Sequence, residues 1–202
     1  NNSALKDIKS LLNQCRDKKK IAGTRNLLSY VHFNQSNFKK TIEEAQRVLD
    51  ISTPKGMENE KARAFLNKGL AYKYLGEYKK AVDLYERANS IFESLNNLKG
   101  SADCLNNIGE VLVQMNKKDK AITLYERAQK IFKRIGDKNN LAYTIVNMGY
   151  IVQEKGDFKK GLEYYEEGME LLKKTGDRKA QGFTLMNMGF SHRKLNHPDE
   201  AV

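Results

Sequence analysis

The stretch LNKGLAYKYLGEYKKAVDLYERA, residues 66–88, decides the fold because it returns. Forty residues on, 106–128 read NNIGEVLVQMNKKDKAITLYERA, and forty further, 146–168 read VNMGYIVQEKGDFKKGLEYYEEG. Glycines keep the register at Gly69, Gly109, Gly149 and Gly189. Small residues follow twelve on, at Ala81, Ala121, Gly161 and Ala201, and tyrosines sixteen on, at Tyr85, Tyr125 and Tyr165. The loop signals Arg16-Asp17-Lys18, Gly136-Asp137-Lys138 and Gly176-Asp177-Arg178 are spaced by multiples of the same number. Self-similarity at a fixed period marks a repeat array.

A glycine inside a helix costs about 1 kcal/mol relative to alanine. Accepting that cost in four successive helices makes sense where two backbones come too close for a Cβ. The small residues twelve on are the expected other half of that contact, with the tyrosines covering its flank. Each period then reads as a tight antiparallel pair of helices. A lone pair cannot bury its apolar faces, so the pairs must stack. Helices are expected over 3–15, 21–34, 38–52, 60–75, 78–96, 101–115, 118–135, 141–155, 158–175 and 181–195. Residues 1–20 read as the second helix of a preceding repeat. Four repeats follow at 21–60, 61–100, 101–140 and 141–180, and 181–202 begin a truncated fifth. With both ends falling inside a repeat, the chain is expected to be a segment of a longer protein.

Gly69, Tyr72, Gly76, Tyr78, Ala81, Tyr85 and Ala88 together resemble the tetratricopeptide repeat family, in a subclass of 40-residue period found in bacterial signalling regulators and eukaryotic adaptors. The third unit departs from the pattern with Leu112, Asn116 and Lys118, and the first departs further, with Ser29, His32, Ser36, Phe38, Thr41 and Ala45. The resemblance implies an all-α fold, a right-handed α-solenoid of stacked antiparallel helix pairs. It also implies a protein-binding module rather than an enzyme. The family's clamp for chaperone tails needs lysine and asparagine around the glycine. Those places hold Leu66 and Leu70, Asn106 and Glu110, Val146 and Tyr150, Met186 and Phe190, so chaperone-tail binding is not expected.

Composition agrees with a helical chain: 40% hydrophobic, 30% charged, and two prolines in 202 residues. No apolar run approaches the roughly 18 residues of a membrane span. Cys15 and Cys104 have no metal or redox spacing, which fits unpaired thiols in a reducing, cytoplasmic compartment. His32, His192 and His197 form no metal motif, and phosphate-cradling loops and nucleophile elbows are missing. No catalytic residue, metal or cofactor is expected.

Partner binding is expected on the first helices, which would line the concave face. Positions six and three before each glycine and one and four after it share one helical face. That stripe gives Asn26, Tyr30 and Phe33, then Arg63, Leu66, Leu70 and Lys73, then Asp103, Asn106, Glu110 and Val113. It continues with Tyr143, Val146, Tyr150 and Gln153, and with Phe183, Met186, Phe190 and Arg193. Its six aromatics suit a partner, because rings bury large area at small entropic cost. Packing against the next first helix is the alternative. A ladder of asparagines, Asn67, Asn107, Asn147 and Asn187, stands two before each glycine. An amide both donates and accepts, so the ladder could grip an extended peptide backbone or bridge adjacent units. Members of the family that resemble this chain, including bacterial peptide-pheromone receptors, hold peptides with such asparagines.

The net charge of +11 raises a second class of partner, nucleic acid or another acidic surface. Lys39-Lys40, Lys79-Lys80, Lys118, Lys120 and Lys159-Lys160 open the second helices, where cations oppose the macrodipole. Pairings such as Lys79–Asp83 would partly neutralise that edge. A groove of mixed sign, and an edge without interleaved aromatics, favour a protein or an extended or helical peptide over nucleic acid. Uncapped ends leave self-association open.

Overall fold

A computed structural model describes residue 12 and residues 15–53 and 55–196. Among these residues the chain forms nine helices and no strand. They are α1 (Lys18–Asn34), α2 (Phe38–Ile51), α3 (Glu58–Tyr74), α4 (Tyr78–Ser94), α5 (Leu98–Gln114), α6 (Lys118–Ile135), α7 (Lys138–Glu154), α8 (Phe158–Thr175) and α9 (Arg178–Asn196). The helix expected over 3–15, His197 and Ala201 lie outside the described residues, Leu12 excepted.

The fold is the all-α class of antiparallel helix pairs. The chain divides into two compact units between Asn107 and Ile108, with α5 crossing the division. In the first unit α1 packs on α2 and α3 on α4, while α3 also lies against α2 and α1. In the second, α7 packs against both α6 and α8, and α9 closes on α8 and touches α7.

Helix starts are set by short polar side chains. The Asp17 carboxylate accepts from the Lys19 and Lys20 amides at 2.9 and 3.2 Å. Asn97 accepts from Gly100 at 2.9 Å, Asp137 from Asn140 at 3.2 Å, and Asp177 from Ala180 at 3.0 Å. These bonds satisfy donors that the first turn leaves without intrahelical partners. They also correct the expected boundaries. Asp17, Asp137 and Asp177 read as loop, but each caps the next helix, so α1, α7 and α9 begin three residues earlier than expected.

Each of the helices α1–α8 is followed by a residue in left-handed backbone. Ser36, Gly76, Asn116 and Gly156 have φ of 57, 75, 57 and 90°, and Gly56, Asn96, Gly136 and Gly176 have 90, 52, 71 and 76°. The chain thus reverses every twenty residues. Ser36 and Asn116 depart from the repeat pattern in residue type but keep the turn in conformation.

The repeated glycine has a different neighbour from the one expected. A Cβ built on Gly69 would lie 2.7 Å from Cε1 of Tyr85, on Gly109 2.5 Å from Cε1 of Tyr125, and on Gly149 2.9 Å from Cε1 of Tyr165. The obstacle is the tyrosine ring sixteen residues on, not the backbone beside the small residue twelve on. That small site still packs nearby, since a Cβ on Gly161 would meet the Gly149 carbonyl at 3.4 Å. Tyr85, Tyr125 and Tyr165 are essentially buried. Burying an aromatic ring stabilises by roughly 2–3 kcal/mol, which outweighs the glycine's cost of about 1.

The first pair solves the same problem differently. Ser29 holds the glycine position and Ala45 the tyrosine position, and Ser29 Oγ donates to the Thr41 carbonyl at 2.9 Å. With no ring to admit, the hydroxymethyl fits.

Candidate functional site

In the first unit, six of the stripe and ladder residues come together, Leu66 and Asp103 among them. Asn26 and Tyr30 of α1 and Arg63 and Asn67 of α3 line a hollow of about 260 Å³, with Leu27 and Leu66 beside them. Its far wall is Phe92, Asn97, Lys99, Gly100 and Asp103. Gly100 leaves room for that wall, because a Cβ there would sit 2.6 Å from the Phe92 ring. Leu27 is 64% exposed and Tyr30 50%. On its other side Tyr30 stacks on Phe33 (6.3 Å), which meets Phe38 and Tyr74 at 6.0 and 5.2 Å. Lys73 lies 5.2 Å over the Tyr74 ring. An aromatic shelf thus runs from the hollow to the turn after α1.

In the second unit, Tyr143, Val146 and Asn147 of α7 face Leu172 of α8 and Lys179, Ala180, Phe183 and Thr184 of α9 around a hollow of about 340 Å³. Tyr143 and Phe183 are 41% and 49% exposed. The Tyr143 hydroxyl donates to the Asp177 carboxylate, which holds the ring at the rim. The Ala180 amide and then the tyrosine hold the Asp177 carboxyl below its usual range, and the carboxylate pushes the Tyr143 hydroxyl up to about 12.

The ladder asparagines do unlike things. Asn67 is buried and donates to the Asn26 carbonyl at 3.0 Å, and Asn26 donates to the Glu60 carbonyl at 2.9 Å. Asn107 donates to Asp103 of its own helix at 2.8 Å and accepts from Lys73 at 3.4 Å. Asn147 hydrogen-bonds the Tyr125 hydroxyl, whose pKa burial raises. Asn187 is buried, and its Nδ2 has no partner among the described residues. The remaining stripe residues sit outside both hollows. Gln153 is 5% exposed and accepts from Ser191 at 2.7 Å. Phe190 packs edge-on against Phe158, with Arg193 5.5 Å over its ring. Leu70, Asn106, Glu110 and Tyr150 are half-buried.

Sequence reading missed Leu27, Lys99 and Lys179 as lining residues. An apolar residue off the buried face was the available signal for Leu27; the other two come from helix starts that were placed too late. Of the expected lysine pairings, Asp83 faces Arg87 at 3.7 Å instead of Lys79. Other edge cations are engaged: Lys80 with Glu77, Lys118 with Glu154, and Lys155 with Asp119.

No group of three side chains suited to a metal ion, and no helix long and apolar enough to cross a membrane, occurs among the described residues. A tetratricopeptide repeat model matches residues 20–94 and again 62–134, more than half of the chain. The protein belongs to the tetratricopeptide repeat family. No curated protein sequence matches this repeat chain. Among solved structures, aspartyl phosphate phosphatase F from Bacillus subtilis superposes with TM-score 0.83 at 21% identity, over 98% of this chain and 52% of that one. BtubC (BKLC) from P. vanneervenii gives 0.75 at 22%, over 87% and 74%. A signal transduction ATPase with numerous domains and a tetratricopeptide repeat sensor, from Pyrococcus horikoshii, gives 0.81 at 15%, over 94% and 30%. At such identities the likeness is one of fold. This chain spans about half the length of the phosphatase and under a third of the ATPase.

Proposed function

We propose that this tetratricopeptide repeat chain is a non-catalytic module that holds a protein or peptide, as the sensor, regulatory or scaffold part of a larger signalling protein. The observation that carries the reading is the pair of hollows, each rimmed by exposed apolar side chains and floored by amides. Tyr30 and Leu27 stand beside Asn67 and Arg63, and Tyr143 and Phe183 beside Asn147. Rings bury much area for few frozen rotamers, and a positioned amide or guanidinium fixes a peptide's register. The signalling context rests on the phosphatase and the sensor-bearing ATPase among the proteins of like fold.

Panning a random peptide display library on the chain tests this. Enriched peptides should bind at least about tenfold more weakly to Leu27→Ala/Tyr30→Ala or to Tyr143→Ala/Phe183→Ala, each truncation being worth more than about 1 kcal/mol at a central contact. Helix content should not change, since these side chains are exposed. A library that yields no enrichment, or peptides that bind all variants equally, would overturn the reading.

A further inference from the structure

The motif KRIGDK at 133–138 recurs as KKTGDR at 173–178, followed by Lys179. The second hollow uses two of these residues, Lys179 in its lining and Asp177 behind Tyr143, and leaves the other cations unused. Both stretches are turns of the second unit, joining α6 to α7 and α8 to α9. Because α7 packs between α6 and α8 and successive helices run antiparallel, the two turns emerge at the same end of that unit. Every lysine and arginine in them is exposed.

The acids within these turns offset only part of that charge, two aspartates against seven lysines and arginines. Asp137 points at its own helix, accepting from the Asn140 amide at 3.2 Å and from Asn140 Nδ2 at 3.0 Å. Asp177 is taken by the Ala180 amide and the Tyr143 hydroxyl. Helix stability accounts for part of the pattern, since Lys133, Arg134, Lys173 and Lys174 close α6 and α8, where the macrodipole favours cations. It does not account for Lys138, Arg178 and Lys179, which open α7 and α9 against the dipole. The edge varies along the repeats: the turn before α1 repeats the basic motif with Arg16, Lys18 and Lys19, and Lys99 matches Lys179, but the turns before α3 and α5 are mixed in sign. Those two turns carry Glu58, Glu93, Ser94 and Leu98 at positions where the second unit has Arg178, Lys133, Arg134 and Lys138.

We propose that this end of the second unit docks on an anionic lipid bilayer through the headgroup phosphates. The cations lie at one end of the helices, so they can meet a plane together. Most are lysines, which act as point charges and suit diffuse attraction better than base readout. Ile135, 37% exposed between them, is the one large apolar side chain within the two motifs, and neither motif holds an aromatic ring on which a base could stack. Basic clusters of four to eight residues bind acidic leaflets by this long-range attraction.

Co-sedimentation of the 202-residue chain with phosphatidylcholine vesicles, with and without phosphatidylserine, at about 0.1 M salt tests the proposal. Partitioning should require phosphatidylserine. Lys138→Gln/Arg178→Gln/Lys179→Gln should weaken it by about fivefold per cation, on the order of 100-fold in all. Removing these three cations relieves the dipole, so the variant should stay folded by circular dichroism. Lys39→Gln/Lys40→Gln/Lys79→Gln changes the net charge equally in the first unit and should leave partitioning unchanged. Binding independent of phosphatidylserine, equal losses in the two triple variants, or displacement from vesicles by an equal charge of random-sequence duplex DNA would each overturn the proposal.

Discussion

The glycine at the centre of each repeat is the residue on which the packing turns, and its substitutions separate two physical effects. Gly109→Ala forces a Cβ to within 2.5 Å of the Tyr125 ring, and overpacking of a filled site costs about 1–3 kcal/mol. Gly23→Ala places the same methyl on α1 with nothing within 4 Å, and should gain about 0.5–1 kcal/mol from helix propensity. Urea melts of both variants check the contrast; equal losses would show that the ring is not what the glycine admits. The natural precedent is Ser29, tolerated because Ala45 replaces the ring. On a Tyr125→Ala background the penalty of Gly109→Ser should therefore shrink, giving a coupling energy of about 0.5–3 kcal/mol in a double-mutant cycle.

At the scale of the helix, the ends carry the signals that sequence reading underused. Asp177→Ala should cost about 1 kcal/mol at neutral pH, because α9 loses its cap. The pH dependence has a definite sign. The Asp177 carboxyl titrates below the usual aspartate range in the folded chain, so its contribution is present above about pH 4 and fades as pH falls through the folded value. Stability curves of wild type and variant should converge in acid. The turns give an opposite change. Ser36 holds φ of 57°, which costs an L-residue about 1 kcal/mol or more, so Ser36→Gly should raise the melting midpoint. The strict period made the helices and their pairing legible in the sequence. Starts are misplaced because an aspartate immediately before a helix looks the same as an aspartate in a loop until its acceptor bond is seen.

Across the whole chain, helices touch neighbours near in sequence: α7 meets α6, α8 and α9, and α3 meets α1, α2 and α4. Such an array unfolds in parts, since each repeat depends on its neighbours alone. Gly149→Val, which drives a branched side chain into Tyr165 and Tyr164, should strip amide-exchange protection from α7–α9 while α2 and α3 keep theirs. Uniform loss throughout would mean one cooperative body. The candidate site was legible only in part for a related reason. A stripe of period three to four names a face, but the residues that close each hollow arrive from the next pair, as Asn97 and Lys99 do for Tyr30, and Lys179 does for Tyr143. Buried members such as Gln153 share the stripe's spacing with exposed ones such as Phe183, so spacing alone could not sort them. The hydroxyl-to-carbonyl latch between Ser29 and Thr41 has a last consequence, for anyone recombining these modules. Later hairpins could in principle trade halves among themselves, since phenol and bare backbone recur in matched form. The opening hairpin could not: its first half would thrust a hydroxymethyl under a foreign phenol, and its second would leave a ring-sized void above a foreign glycine.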